Sequence, residues 1–328
     1  MDNKKLPAII LLSSIITGIA FSQNVDRTIN EVLQRFYETN NLHGGISVAI
    51  SRNGRLVYAG SVGYADSRNT IRLTPEHRMR TASVSKPITR IAILNLQNEG
   101  KLRLNDFVFG SNGVFKGQHG LPVLNGQPTD ITIRNLVEHR SGGWSNITNY
   151  GISNRQQMRQ RIENIPLINE PGTVYAYSNL GYNILALVIE EVTGMPYENY
   201  VKEHVLLPAG IDGMRLGTNR LGNDEPEYLD SRGRITNINP SNSPGSGGWI
   251  AQPVELLKFM RHWDRYLVSN FNFSGSSTST YSWIAKRSGG FNVVILANHR
   301  PPAPRYSRVA LFDEIRAAVS VWPTGTDF

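Results

Sequence analysis

Residues 81–89 read Thr81-Ala82-Ser83-Val84-Ser85-Lys86-Pro87-Ile88-Thr89 and open a stretch with apolar residues at Ile88, Ile91, Ala92, Leu94 and Leu96. That spacing predicts a helix from Ser83 to Asn98, closed by Gly100, a residue suited to a C-cap. Ser83 and Lys86, three residues apart, then share one helical face within side-chain reach. Ser83 also sits at the helix start, where unpaired N–H groups and the helix dipole favour developing negative charge. A serine hydroxyl becomes an effective nucleophile when a neighbouring base takes its proton. Lysine is such a base once burial lowers its pKa from about 10.4. The same serine would equally make a good N-cap, and Ser-x-x-Lys arises about once by chance in a chain this long. Of the eight lysines, only Lys86 has a serine three positions before it.

Upstream of this stretch, Val25–Asn40 has helical spacing at Val25, Ile29, Val32, Leu33 and Phe36. Ile46–Arg52 and Arg55–Gly63 are β-branched-rich runs joined by Asn53-Gly54, a strong hairpin signal, and Met79–Ala82 reads as a short third strand. Downstream, Thr132–His139, Asn179–Thr193 and Pro196–Leu207 read as helices between Gly-, Asn- and Pro-rich loops. Gln252–Tyr266 is an amphipathic helix. Strands then return at Tyr281–Lys286 and Phe291–Asn298 around Ser288-Gly289-Gly290, before a last helix from about Tyr306 to Val321. Strands near both ends with a helical middle imply an α/β chain of the α+β type. One antiparallel sheet is flanked by terminal helices, and an all-helical domain is inserted between its strands. The expected division is residues 23–82 plus 250–328 for the sheet and 83–249 for the mainly helical part.

The 328 residues are 40% hydrophobic and 18% charged, an ordinary globular balance that excludes disordered, collagen-like and coiled-coil chains. The formal charge is +8, carried by 26 Arg and 8 Lys against 26 acidic residues. The densest basic cluster, Arg155, Arg159 and Arg161, is short and reads as a solvated helix face, so no nucleic-acid partner is expected. No cysteine is present, which removes disulfides, thiolate catalysis and Cys-ligated zinc. Lys4 and Lys5 precede an apolar run from Leu6 to Phe21, and Ala20-Phe21-Ser22 places small residues where a signal peptidase cleaves. Residues 1–22 are therefore expected to be a signal peptide, with residues 23–328 periplasmic or secreted. An uncleaved anchor is the alternative, but the run falls short of the ~20 apolar residues a spanning helix needs. No stable membrane span is expected after cleavage.

Tyr177-Ser178-Asn179 lies in a loop after Glu170-Pro171-Gly172 and before an apolar helix. A loop-borne Tyr177 can approach Ser83 and share its proton with Lys86, while Asn179 can donate to a substrate carbonyl. The other Tyr-x-Asn, Tyr197-Glu198-Asn199, sits inside an amphipathic helix and reads as structural. Taken in order, residues 81–89, Ile131–Trp144 with its His139-Arg140-Ser141-Gly142, Tyr177–Tyr182, Leu207–Ile211 and Gly247-Gly248-Trp249 resemble the class C β-lactamase-like serine hydrolases. That superfamily takes in class C β-lactamases, penicillin-binding proteins, D-aminopeptidases and β-lactamase-like carboxylesterases. The resemblance covers most of residues 25–322. It implies a β-lactamase/transpeptidase-like fold with the site between sheet and helical region, Ser83 as nucleophile, Lys86 as its general base and Tyr177 as second proton carrier.

One segment departs from that pattern. The family's third motif, a basic residue followed by Ser or Thr and Gly, is matched only by Phe273-Ser274-Gly275-Ser276, with an aromatic ring where a cation is usual. A ring neither binds a substrate carboxylate nor stabilises a Tyr177 phenolate. This shifts the expected substrate from β-lactams and D,D-peptides toward neutral esters or small amides. Ser276 remains a candidate oxyanion donor alongside Ser83, with Phe273, Ser274, Gly275 and Asn179 as substrate-contacting candidates. The short connection between Tyr266 and Phe273 leaves out a strand that the resemblance would supply, which widens an acyl pocket or marks a degenerate copy. Two alternatives therefore stand beside an esterase: a penicillin-binding protein or D-amino-acid peptidase, and a weakly catalytic binding or sensor protein. No Gly-x-Ser-x-Gly elbow or His-Glu-x-x-His motif occurs and the seven histidines are dispersed, so neither metal nor cofactor is implied. The expected partner is a small-molecule or peptide acyl substrate. Trp144 and Trp249 either line the cleft or pack the core.

Overall fold

The computed structural model describes residues 6–117, 121–144, 156–157, 166–300 and 308–328, with side chains from Gln23 onward. The arginine cluster Arg155, Arg159 and Arg161 lies outside them, as do residues 301–307, so the last helix is described only from Arg308.

Strands β1 (Gly45–Arg52) and β2 (Arg55–Gly63) form a hairpin closed by Asn53 and Gly54 at φ +51° and +76°. Two left-handed residues in a two-residue loop match the right-handed twist of the flanking strands, which is why Asn-Gly recurs at such turns. At the other end of the chain, β9 (Tyr281–Arg287) and β10 (Phe291–Ala297) pair around Ser288-Gly289-Gly290. Asn53 N donates to Gly290 O at 2.8 Å, so the two hairpin tips meet. Strand β8 (Asn272–Ser276) adds to the edge, giving a five-stranded antiparallel sheet in the order β2-β1-β10-β9-β8.

Met79–Ala82, expected as a third strand, forms one only at Met79–Arg80, which is β3 of a separate three-stranded sheet, and Ala82 lies in a following 3-10 turn. Strand β3 pairs with β7 (Trp249–Ala251), which also pairs with β6 (Arg215–Leu216). A two-residue ladder, β4 (Val123–Leu124) with β5 (Gln127–Pro128), lies in the loop region between.

Helix α1 (Leu6–Thr39) carries Val25, Ile29, Val32, Leu33 and Phe36 on its buried stripe, the spacing read from the sequence. With α7 (Arg308–Ala318) it covers one face of the main sheet. The other face packs α2 (Ser85–Asn98) and α6 (Pro253–His262) together with the helical region: α3 (Ile133–Val137), α4 (Asn179–Thr193) and α5 (Tyr197–Val201). The apolar run of β10 is buried on both faces because helices lie above and below it. Among the described residues no helix is long and apolar enough to cross a membrane.

Candidate active site

Ser83 lies in a single 3-10 turn, Ala82–Val84, that runs directly into α2. Ala82 sits at φ +44°, a left-handed conformation that costs a non-glycine residue energy and persists only where surroundings enforce it. The enforcement is visible. Thr81 Oγ1 donates to Trp249 O at 2.9 Å and exchanges a hydrogen bond with Ser85 Oγ, which accepts from Trp249 N at 3.1 Å. From the other side, β8 approaches so closely that a Cβ on Gly275 would stand 2.6 Å from Ser83 N and 2.7 Å from Thr81 O. Only glycine permits that backbone-to-backbone contact.

Lys86 is fully buried one turn on. Its Nζ donates to Ser83 Oγ at 3.1 Å, Asn179 Oδ1 at 2.7 Å and Ser246 O at 2.8 Å. Among the described residues no carboxylate compensates its charge, and burial pulls its pKa down from the usual lysine range to about 7. The ammonium lies 4.7 Å from the centre of the Tyr177 ring. Burial pushes the Tyr177 hydroxyl up, opposed in part by its hydrogen bond to Ser83. Tyr177 is therefore a neutral phenol near neutral pH.

Ser83, Tyr177, Asn179, Ser274 and Ser276 line one cavity of about 600 Å³, together with Arg80, Asn239 and Ser243. Its lining is rich in hydroxyl and amide groups. Residues more than 190 positions apart in the chain thus converge on one nucleophile-bearing cleft. Over residues 29–289 the sequence matches the model of the family described as Beta-lactamase. The chain belongs to the beta-lactamase family.

Among curated relatives, penicillin-binding protein 4* of Bacillus subtilis is 30% identical over 217 residues, 63% of this chain and 45% of that protein. The chain spans less than half the length of the first curated relatives it matches. Among solved structures, a class C beta-lactamase superposes with a TM-score of 0.72 at 17% identity, covering 91% of this chain and 97% of that one. The D-amino acid amidase from Ochrobactrum anthropi SV3 superposes with a TM-score of 0.69 at 18% identity, covering 90% and 98%. These likenesses establish the fold expected from the sequence.

Within that family fold, Ser83, Lys86, Tyr177 and Asn179 come together as the motifs suggested. Asn179 differs in detail, because its carbonyl oxygen accepts from Lys86. Ser274 and Ser276 line the Ser83 cavity and Gly275 abuts the nucleophile turn. Phe273 does not join them. Its ring stacks on Phe271, 6.3 Å between centroids, and lines an adjoining cavity. The sequence reading left two contributors unassigned. Ser246 supplies only its carbonyl, which no side-chain motif announces. His139, at φ +57°, accepts from Ser178 N at 3.1 Å through Nδ1 and stacks on Tyr177 with centroids 4.5 Å apart. Burial and the nearby Lys86 charge lower its pKa to about 4, so it stays neutral and keeps an acceptor for the Tyr177 loop. Its place in the His139–Gly142 segment was the available signal. Trp144 and Trp249 are core residues, fully buried, and Tyr197 is buried and bonded to Thr89 and Trp249.

Proposed function

We propose that the protein is a serine acyl-hydrolase that works through an acyl-enzyme on esters or small amides. The observation that carries this reading is Lys86. An amine with a pKa near 7, placed 3.1 Å from Ser83 Oγ, is a base poised at working pH. Neutral Lys86 takes the Ser83 proton as Oγ bonds to the acyl carbon, and the carbonyl electrons move onto oxygen. The backbone N–H groups of Ser83 and Ser276 hold that oxyanion. As the bond to the leaving group breaks, the proton passes from Lys86 through the Tyr177 phenol to the departing oxygen or nitrogen. A water then attacks the acyl-enzyme with the same groups as base. Its proton returns to Ser83, and the product acid departs.

The decisive experiment compares initial rates on p-nitrophenyl butyrate for residues 23–328 and for Ser83→Ala. The expected result is a rate that vanishes in the variant while its circular dichroism is unchanged. Equal rates in both would overturn the assignment. A second reading, hydrolysis of D-amino-acid peptides or amides, is favoured by the hydroxyl- and amide-lined Ser83 cavity and by the likeness to penicillin-binding protein 4* and the D-amino acid amidase. Covalent labelling by a fluorescent penicillin, lost in Ser83→Ala, would place this reading first. We also propose that Leu6–Phe21 directs export with cleavage before Gln23. An N-terminus at Gln23 in recovered protein supports this, and one at Met1 overturns it.

A further inference from the structure

A second cavity of about 530 Å³ lies beyond Tyr177, between α2, α3 and the short Leu267–Phe271 segment that leads into β8. Its walls divide chemically. His139, Tyr175, Tyr182, Phe271 and Phe273 present aromatic surface, and Arg90, Arg134 and Arg140 present guanidinium groups. Among the described residues Glu138 is the one carboxylate on the lining, and Arg134 pairs with it at 3.5 Å. Arg90 and Arg140 have no carboxylate partner among the described residues. Their side chains donate to main-chain carbonyls, Arg90 to Tyr266 O at 3.4 Å and Arg140 to Thr173 O at 2.6 Å. The rim exposes more apolar surface, with Tyr175 60% exposed and Val268, next to Leu267, 65% exposed. Apolar surface concentrated at a concave, cationic site marks a place for a ligand.

The position relates this cavity to the reaction. Arg90 is seven residues beyond Ser83 along the nucleophile helix, roughly 10 Å at the rise of an α-helix. Phe273 neighbours Ser274, which lines the Ser83 cavity, and successive strand residues point to opposite sides. The two cavities therefore flank the Tyr177–His139 stack.

We propose that this cavity is a subsite for the far end of the substrate, taking an aromatic or similarly flat apolar group that ends in a carboxylate, with Arg90 and Arg140 as its counter-charges. The proposal rests on the reading of Ser83 as the reacting nucleophile. It explains Phe273 together with the shortened 266–273 segment: the cation absent from β8 is replaced by arginines on α2 and after α3, at the end of a longer arm. A neutral apolar ligand would crowd two guanidinium groups that have no carboxylate among the described residues, and a bare carboxylate would leave the rings uncovered. Guanidinium groups both pair with carboxylates and stack on rings, so a ligand with both features satisfies the whole lining.

The test is calorimetric titration of residues 23–328, wild type and Ser83→Ala, with 4-phenylbutyrate and with its uncharged amide, 4-phenylbutyramide. The acid is expected to bind both proteins at least tenfold more tightly than the amide. Arg90→Met, a change at an exposed position, is expected to weaken the acid at least fivefold and the amide, which keeps only the ring contact, by less than twofold. Phe273→Ser is expected to weaken both ligands. Equal affinity for acid and amide, or acid binding untouched by Arg90→Met and Arg140→Met together, overturns the subsite. Binding requires no turnover, so selective acid binding without ester hydrolysis would sink the hydrolase reading alone. Hydrolysis without selective binding would sink the subsite alone.

Discussion

Along β10, Val293, Ile295 and Ala297 face α1 and α7, whereas Val294 and Leu296 face the helices around the site. The first face is closed by Val, Ile, Leu and Phe side chains from both ends of the chain, with Trp283 and Ala285 from β9. The second face is interrupted: Ser47, Ser51 and Ser282 alternate with the apolar residues of their strands, and Thr81, Ser85 and Lys86 lie buried beyond them. One side of the sheet is closed mainly by apolar burial, with Tyr58–Asn30 and Arg35–Glu314 as polar links between its elements. The other gives up apolar contacts to hold a lysine whose charge burial disfavours. A buried amine disfavours folding wherever the unfolded chain would protonate it, so the site side carries a cost that the outer side offsets.

The sharpest break of this contrast is Lys86→Met. It should lower turnover on the order of 10³-fold or more, because the base is gone. The melting temperature at pH 7 should not fall, since an apolar side chain replaces a desolvated amine; a drop of many degrees would show that the three Lys86 hydrogen bonds outweigh its burial. Gly275→Ala comes next. Its Cβ would collide with Ser83 N and Thr81 O. A displacement of the oxyanion edge by about 1 Å should cost roughly 10²-fold in kcat/KM. Unchanged kinetics would mean that β8 does not set the geometry.

The pH dependence is a smaller effect with a defined sign. Below about pH 7 Lys86 is protonated and cannot accept the Ser83 proton, so kcat/KM should fall about tenfold per unit as pH drops and level off above 7. The same depressed pKa means that the unfolded chain binds more protons between about pH 7 and the ordinary lysine range, so this group makes stability rise with pH across that window. A rate profile flat from pH 5 to 8 would exclude Lys86 as the base. The smallest effect belongs to the outer face. Ile295→Val should cost about 1 kcal/mol of stability in denaturant unfolding and leave kcat/KM unchanged. A kinetic effect there would mean that the two faces are not independent.

The outer face was almost wholly legible in the sequence, because its information is local. β-Branched-rich runs gave the first two strands, Asn53-Gly54 and Ser288-Gly289-Gly290 gave the turns, and the stripe from Val25 to Phe36 gave the helix. Asn179–Thr193 was likewise found at its observed bounds, between the Ser178 N-cap and Gly194 in the left-handed region. The site side was legible only where side chains carry chemistry, as at Ser83, Lys86, Tyr177 and Asn179. The strand expected at Met79–Ala82 was misplaced because the partner of Met79–Arg80, in Trp249–Ala251, lies far along the chain and no local pattern encodes that pairing. His139 was hidden because its role depends on a left-handed backbone and on the loop it clamps. Phe273 was read as a substitution within the Ser83 cleft. Its ring belongs to the neighbouring cavity, a difference set by the side of β8 on which each residue falls.

The sheet also joins segments that the ribosome makes at very different times. Gly45 N donates to Asn298 Oδ1 across 253 residues, and Ser282 Oγ donates to Thr81 O across 201. Contacts of such high sequence order form late, after the entropy of closing a long loop has been overcome. A nascent chain contains the Ser83 helix well before it contains β8, the edge that abuts the Ser83 turn in the folded protein. On the proposed mechanism, the onset of acyl transfer is then tied to the last step of folding rather than to the synthesis of Ser83 itself.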